Sequence, residues 1–141
     1  MFTGIGAKGS NLVTSHGSLT SGLRLERSRE LLCDCQMTEL SPQARMVWAF
    51  EAAYFCCVEI AAARGVNVAC EKHPSREIID AASSALALSP AKVRLMQELR
   101  DWCQYAAPIR PAPRMMERAV ALADDVYRRT VELLASMQSD G

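Results

Sequence analysis

Proline positions divide this chain into helical segments. Four of its six prolines begin runs in which apolar residues recur at helical spacing; they are Pro42, Pro74, Pro90 and Pro113. Proline fixes φ near the helical value and lacks only an amide hydrogen that the first turn of a helix leaves unpaired. Ser41 and Ser89, which precede two of these prolines, are typical N-cap residues. The pattern therefore predicts an all-α protein.

The longest apolar run predicts the central helix of the fold. It extends over residues 42–64, and its apolar side chains cover nearly the whole circumference, which is typical of a helix surrounded by others. Gly65 follows as a C′ residue suited to the left-handed conformation. A shorter amphipathic helix over 23–37 precedes it, with Arg24 facing water and an apolar side formed by Leu25, Leu31, Leu32 and Cys35.

Three further helices complete the predicted fold. They begin near Pro74, Pro90 and Arg114, and the last of them continues to about Met137. A stiff proline-rich stretch over 108–113 separates the last two. The predicted fold class is an antiparallel bundle of four main helices plus the short N-terminal helix.

Composition predicts two regions of different character. Residues 1–22 hold five of the seven glycines among many serines and threonines, with few large side chains to bury. Such a segment does not offset the entropy lost on ordering, so we expect a disordered tail. Residues 23–141 are predicted to form a single helical domain, the size expected for one hydrophobic core.

Charge and cysteine content indicate which partners and which cellular compartment to expect for this chain. Sixteen basic and sixteen acidic residues balance, so no overall field attracts nucleic acid or lipid. Glu51 and Glu59 interrupt the most apolar run, which predicts a buried helix and no membrane partner. Since the N-terminus has no secretory pattern, the six cysteines are expected to be reduced and the protein cytoplasmic.

Familiar catalytic and metal-binding patterns are weak in this sequence. Cys33, Cys35, Cys70 and His73 form C-x-C and C-x-x-H halves that zinc could close. Residues two apart on a helix point about 200° apart, however, so ordinary thiols are favoured and no metal or cofactor is predicted. His16 and His73 have no nucleophile and carboxylate at a recognisable spacing. For Glu51 and Glu59, contact with water or pairing with an arginine such as Arg100 is favoured over a catalytic carboxylate pair.

Two stretches resemble a known superfamily. The first, LRDWCQY, runs from Leu99 to Tyr105, and the second is the alanine-rich run from Glu117 to Tyr127. Together with the AAYF of residues 52–55, they resemble the HEPN superfamily of small helical domains over roughly residues 42–136. The resemblance implies a dimerising module that associates with RNA, a nucleotide or a regulatory protein.

The same resemblance places Arg100 and Tyr105 in a potential catalytic position. In ribonuclease members of the superfamily an arginine is followed by four to six residues and a histidine. Here Arg100 matches the arginine, and Tyr105 stands where the histidine would be. A phenol stays protonated at neutral pH and is a poor general base, which favours a non-catalytic module over an enzyme. A diverged metal-independent ribonuclease using Arg100 and Tyr105, or an unrelated helical adaptor, are the alternatives.

Four arginines are candidates for binding an anion. Arg114 and Arg118 are one helical turn apart, the proline-rich stretch restrains Arg110, and Arg100 lies just before it. Pairing of these arginines with Asp124, Asp125 or other acidic residues is the alternative.

The sequence also offers apolar candidates for a homodimer interface. Trp48, Trp102 and Met115 are large apolar residues on helices that already have enough core positions. We expect some of them to face a second copy of the chain.

Overall fold

The protein is all-α. The structure, a computed structural model, describes residues 16, 20–69, 74–107, 109–112 and 114–140. Within these ranges the chain forms α-helices and one π-helical turn and has no β-strand. The helices are α1 (Ser21–Cys35), α2 (Pro42–Ala63), α3 (Arg76–Ala85), α4 (Pro90–Asp101) and α5 (Met116–Asp140), and the π turn is Trp102–Ala106.

The two Ser-Pro pairs start helices as predicted. The hydroxyl of Ser41 accepts a hydrogen bond from the amide of Ala44 at 3.1 Å, and Pro42 is the first residue of α2. Ser89 caps α4 in the same way through the amide of Lys92. Gly65, with a φ of 90°, ends α2 in the left-handed conformation.

Two predicted helix starts are wrong by two residues. The third helix begins at Arg76 and not at Pro74, because the Ser75 hydroxyl accepts the amide hydrogen of Ile78 and is a better cap. The last helix begins at Met116 and not at Arg114. The Met115 carbonyl accepts its first hydrogen bond, from the amide of Ala119 at 2.9 Å.

The N-terminal helix begins at Ser21, before the predicted boundary at residue 23, and ends at Cys35. Leu31, Leu32 and Cys35 are buried as predicted. The prediction that Arg24 faces water is wrong, since it is 5% exposed and pairs with Glu59. Of the predicted tail over 1–22, the structure describes His16, which lies against α2, and residues 20–22; the other positions lie outside the described residues.

The second helix, α2, lies at the centre of the fold. It contacts α1, α3, α4 and α5, and its side chains are buried on nearly every side. Phe50 and Tyr54 are fully buried, and their rings stack with centroids 5.7 Å apart. By length and mean hydropathy (1.5) α2 could cross a membrane, but 72% of that apolar stretch is buried inside the protein.

Candidate functional site

The segment after α4 combines a firm anchor with exposed apolar side chains. We call residues 102–112 the connector; residue 108 lies outside the described part. Trp102 and Ala107 are buried, and the Ala107 carbonyl accepts a hydrogen bond from the Gln43 side chain of α2. Tyr105 and Ile109 are 66% and 80% exposed, the highest values among the large apolar residues that the structure describes.

The backbone of the connector is held by its own hydrogen bonds. The amide of Ala107 donates to the Trp102 carbonyl at 2.7 Å, which closes the π turn. The amides of Ile109 and Arg110 both donate to the Ala106 carbonyl at 3.0 Å. A π turn is rare and is often found at functional sites. Tyr105 and Ile109 therefore lie on a stretch whose backbone makes several internal hydrogen bonds.

The side chain of Arg100 makes its hydrogen bonds within the fold. Its side chain is 13% exposed, its Nε donates to the Pro74 carbonyl at 2.8 Å, and its Nη1 donates to Asp101 Oδ1 at 2.8 Å. Asp101 also pairs with Arg76 at 3.4 Å, so the two arginines share one carboxylate. Arg100 thus links the end of α4 to the segment before α3, while Tyr105 extends into solvent.

The other arginines proposed for anion binding are exposed. Arg110, Arg114 and Arg118 form no ion pair with any residue that the structure describes. Asp124 and Asp125, the carboxylates considered as their partners, pair instead with Lys92, Arg128 and Arg129. Arg114 lies in the turn before α5, outside the first helical turn where it was expected.

Arg118 lies on the wall of a groove between α4 and α5. This groove, which we call the α4/α5 groove, has a volume of about 470 Å³. Its apolar residues include Leu95 and Leu122, and its charged residues are Lys92, Arg118, Asp125 and Arg128. Of these residues, the sequence predicted Arg118 as an anion ligand and named Asp125 as its possible partner. The i, i+4 spacing of Asp124 and Asp125 with Arg128 and Arg129 was a signal for the ion pairs, but nothing in the sequence placed Lys92 beside them.

The residues predicted to face a partner are mostly inside the fold. Trp102 is 5% exposed and belongs to the core of the chain. Trp48 and Met115 are partly buried and pack against the same core. Tyr105 and Ile109 are the apolar residues of this region that remain open to solvent.

The two glutamates of α2 are each engaged by a basic side chain. Arg24 Nε lies 2.8 Å from Glu59 Oε1, with both side chains 6% exposed, and Ser21 also donates to Glu59. The arginine partner is therefore Arg24 and not Arg100. Glu51 lies 2.6 Å from His16 Nε2, and the His16 ring packs against Tyr54 and Phe55. Glu51 and Glu59 thus have separate structural partners.

The cysteines of the described region are mostly buried thiols. Cys35 and Cys56 have a pKa raised to about 11 by burial, and burial raises the pKa of Cys103 to about 12; the pKa of Cys57 is also raised by burial. Cys33 is exposed. Among the residues that the structure describes, no three His, Cys, Asp or Glu side chains cluster as metal ligands, and Cys70 and His73 lie outside that part.

Thiol labelling should distinguish Cys33 from the other described cysteines. In a Cys70→Ser variant, a thiol reagent at neutral pH is expected to modify Cys33 rapidly and the buried thiols far more slowly, because thiolates are the reactive form. Unfolding in denaturant should make all five remaining thiols accessible to the reagent. Mass spectrometry of the labelled protein checks this. Rapid labelling of Cys56 or Cys57 in the folded protein would contradict the packing of α2.

Comparison of this chain with protein-family models, with curated proteins and with solved structures finds no match to any of them.

Proposed function

We propose that this chain is a non-catalytic, HEPN-like helical module that forms a homodimer and binds an RNA, a nucleotide or a regulatory protein. One observation carries the proposal. Arg100 is bound within the fold to the Pro74 carbonyl, whereas the connector that follows it in the chain exposes Tyr105 and Ile109. The module associates through the exposed connector and does not use Arg100 for chemistry.

The helix order supports an antiparallel bundle as the finer description of the fold. α1 and α2 are in extensive contact and are joined by a short turn, and α3 and α4 are likewise joined by four residues. Short connections between packed helices favour antiparallel neighbours. In this arrangement α2 is the inner helix, and α1, α3, α4 and α5 surround it.

The contacts of Arg100 support a structural role. Its Nε and Nη1 donate to Pro74 and Asp101, so two of its donors are already satisfied. A catalytic arginine directs donors at the charge that develops on the substrate, whereas these two of the five N–H donors of Arg100 are directed at the protein. Tyr105 adds no basic nitrogen. The diverged-ribonuclease alternative therefore has no specific support in the side-chain geometry.

The exposed pair on the connector supports self-association. Large apolar side chains on an ordered backbone lose little entropy on binding, and interfaces are enriched in tyrosine and other anchors of this kind.

Replacing both Tyr105 and Ile109 with alanine is expected to convert the dimer to a monomer. Truncation of an interface anchor costs about 2 kcal/mol or more, and a twofold axis counts each residue twice. Sedimentation velocity at high micromolar concentration should show the wild type at twice the monomer mass and the double variant at the monomer mass. A monomeric wild type, or an unchanged dimer in the variant, would contradict the proposal.

Val66→Ala is the matched control. Val66 is an exposed apolar residue (46%) in the loop after α2. Gln43, which anchors the connector, is at the other end of α2, about 30 Å from Ala63 along the helix axis. The control should leave the dimer intact.

An RNA-cleavage assay separates the module from the ribonuclease alternative. The wild type is expected to leave single-stranded RNA intact without added metal. Cleavage by the wild type that Tyr105→Phe abolishes would support the diverged ribonuclease, since this exposed substitution does not disturb packing.

A further inference from the structure

The α4/α5 groove has an excess of positive charge. Lys92, Arg118 and Arg128 line it, and Arg129 lies beside it through its bond to Asp125. Asp125 is the one carboxylate among the lining residues, so three cations and one anion line the groove. Lys92 Nζ lies 2.7 Å from Asp125 Oδ2, and Arg128 Nε lies 3.0 Å from Asp124 Oδ2. Arg118 has no such partner among the described residues, and its guanidinium is available to a ligand.

Asp125, the one carboxylate among the lining residues of the groove, is already paired with basic side chains. Partial burial opposes ionisation of Asp125, but hydrogen bonds from Lys92 and Arg129 outweigh it and lower the pKa of this carboxyl. Arg129 is itself oriented by the carbonyls of Leu86 and Ala87. Asp125 is therefore an ionised carboxylate paired with Lys92 and Arg129, and it holds these two cations in place.

The apolar side of the groove is suited to contact the organic part of a phosphorylated ligand. Leu95 and Leu122 are 5% and 3% exposed and line the same cavity as the cations. A volume of about 470 Å³ falls within the range of small-molecule pockets. The cations surround one cavity and do not form the long track that a nucleic-acid strand follows. An arginine fork with an apolar surface beside it suits a phosphate attached to a planar organic group.

We propose that the α4/α5 groove binds a nucleoside monophosphate, with the phosphate on Arg118, Lys92 and Arg128 and the base against Leu95 and Leu122. The N-terminus of α4, which Ser89 caps at the edge of the groove, adds a partial positive charge. This proposal does not depend on dimerisation through the connector.

Titration of the full chain with adenosine monophosphate, followed by amide NMR shifts at low ionic strength, tests the proposal. The expected result is saturable shifts confined to α4 and the middle of α5, with weaker binding as salt is raised. Inorganic phosphate should shift the same amides more weakly, and adenosine should bind far less well than the monophosphate. Adenosine binding as tightly as the monophosphate, or no saturable shift at millimolar ligand, would overturn it.

Arg118→Gln and Arg114→Gln form a matched pair. Both arginines are exposed, but only Arg118 lines the groove. Loss of a charge-assisted hydrogen bond should weaken binding at least about tenfold in Arg118→Gln, and Arg114→Gln should stay within about twofold. Equal loss in both variants would show a diffuse basic patch and would overturn the groove assignment. Tight binding of an RNA oligonucleotide without detectable binding of the monophosphate would also overturn it. Sedimentation of each variant reports on the dimer separately.

Discussion

Replacing Arg24 with methionine is expected to lower the free energy of unfolding by about 3–5 kcal/mol. Arg24 and Glu59 are 2.8 Å apart, and each side chain is 6% exposed. The substitution leaves the Glu59 carboxylate buried without its arginine, and the Ser21 hydroxyl alone cannot compensate the charge. Urea denaturation followed by circular dichroism measures the loss.

Arg27→Met is the matched control on the same helix. Arg27 pairs with Glu30 at 3.2 Å, but both side chains are 51% exposed. Exposed pairs contribute little, so the control should change the free energy of unfolding by less than about 1 kcal/mol. The double variant Arg24→Met, Glu59→Leu should recover most of the loss, because it removes both buried charges. Equal effects of Arg24→Met and Arg27→Met would contradict the buried pair.

The second large effect is expected for Phe50→Ala, at about 3–5 kcal/mol of destabilisation. Phe50 is completely buried in the centre of α2 and stacks on Tyr54. The truncation removes apolar contact area and leaves a cavity that the surrounding helices fill only in part. The same urea titration measures it.

Leu23→Ala provides the comparison for Phe50→Ala. Leu23 is also a large apolar residue on a helix, but it is half exposed. Its truncation should cost less than about 1 kcal/mol, as for a surface position. If Phe50→Ala were as mild as Leu23→Ala, α2 would not be the central helix of the core.

Local signals explain how much of the fold the sequence predicts. Ser41-Pro42, Ser89-Pro90 and Gly65 act through hydrogen bonds and φ values within a few residues of themselves, so their helix boundaries are correct. The start of the third helix was predicted at Pro74, two residues too early, because the proline was taken as the start signal while the Ser75 hydroxyl forms the cap. The central position of α2 followed from its apolar circumference.

Long-range pairs explain what the sequence does not predict. Arg24 has the spacing of a surface residue, and its burial depends on Glu59, 35 positions later in the chain. His16 depends in the same way on Glu51 and the rings of α2. Polar residues of this kind can be identified only once the packing of the helices is known.

The residues of the candidate sites show the same difference between local signals and long-range packing. Arg118 was predicted from its spacing along one helix, whereas Lys92 comes from α4 and joins it only because α4 packs against α5. The exposure of Tyr105 and Ile109 depends on the π turn, which no spacing in the sequence indicated. Arg100 was predicted as a catalytic or anion-binding residue or as a partner of the α2 glutamates, whereas in the structure its side chain bonds Pro74 and Asp101.

Hydrogen exchange of the wild type at two protein concentrations tests the central proposal, association through the connector, most directly. We expect amides of residues 103–112 to exchange more slowly at the higher concentration, because dimerisation covers Tyr105 and Ile109. Amides of residues 64–69, in the loop that holds Val66, should exchange at the same rate at both concentrations. Exchange of the connector that does not change with concentration, while another surface becomes protected or none does, would contradict the proposal.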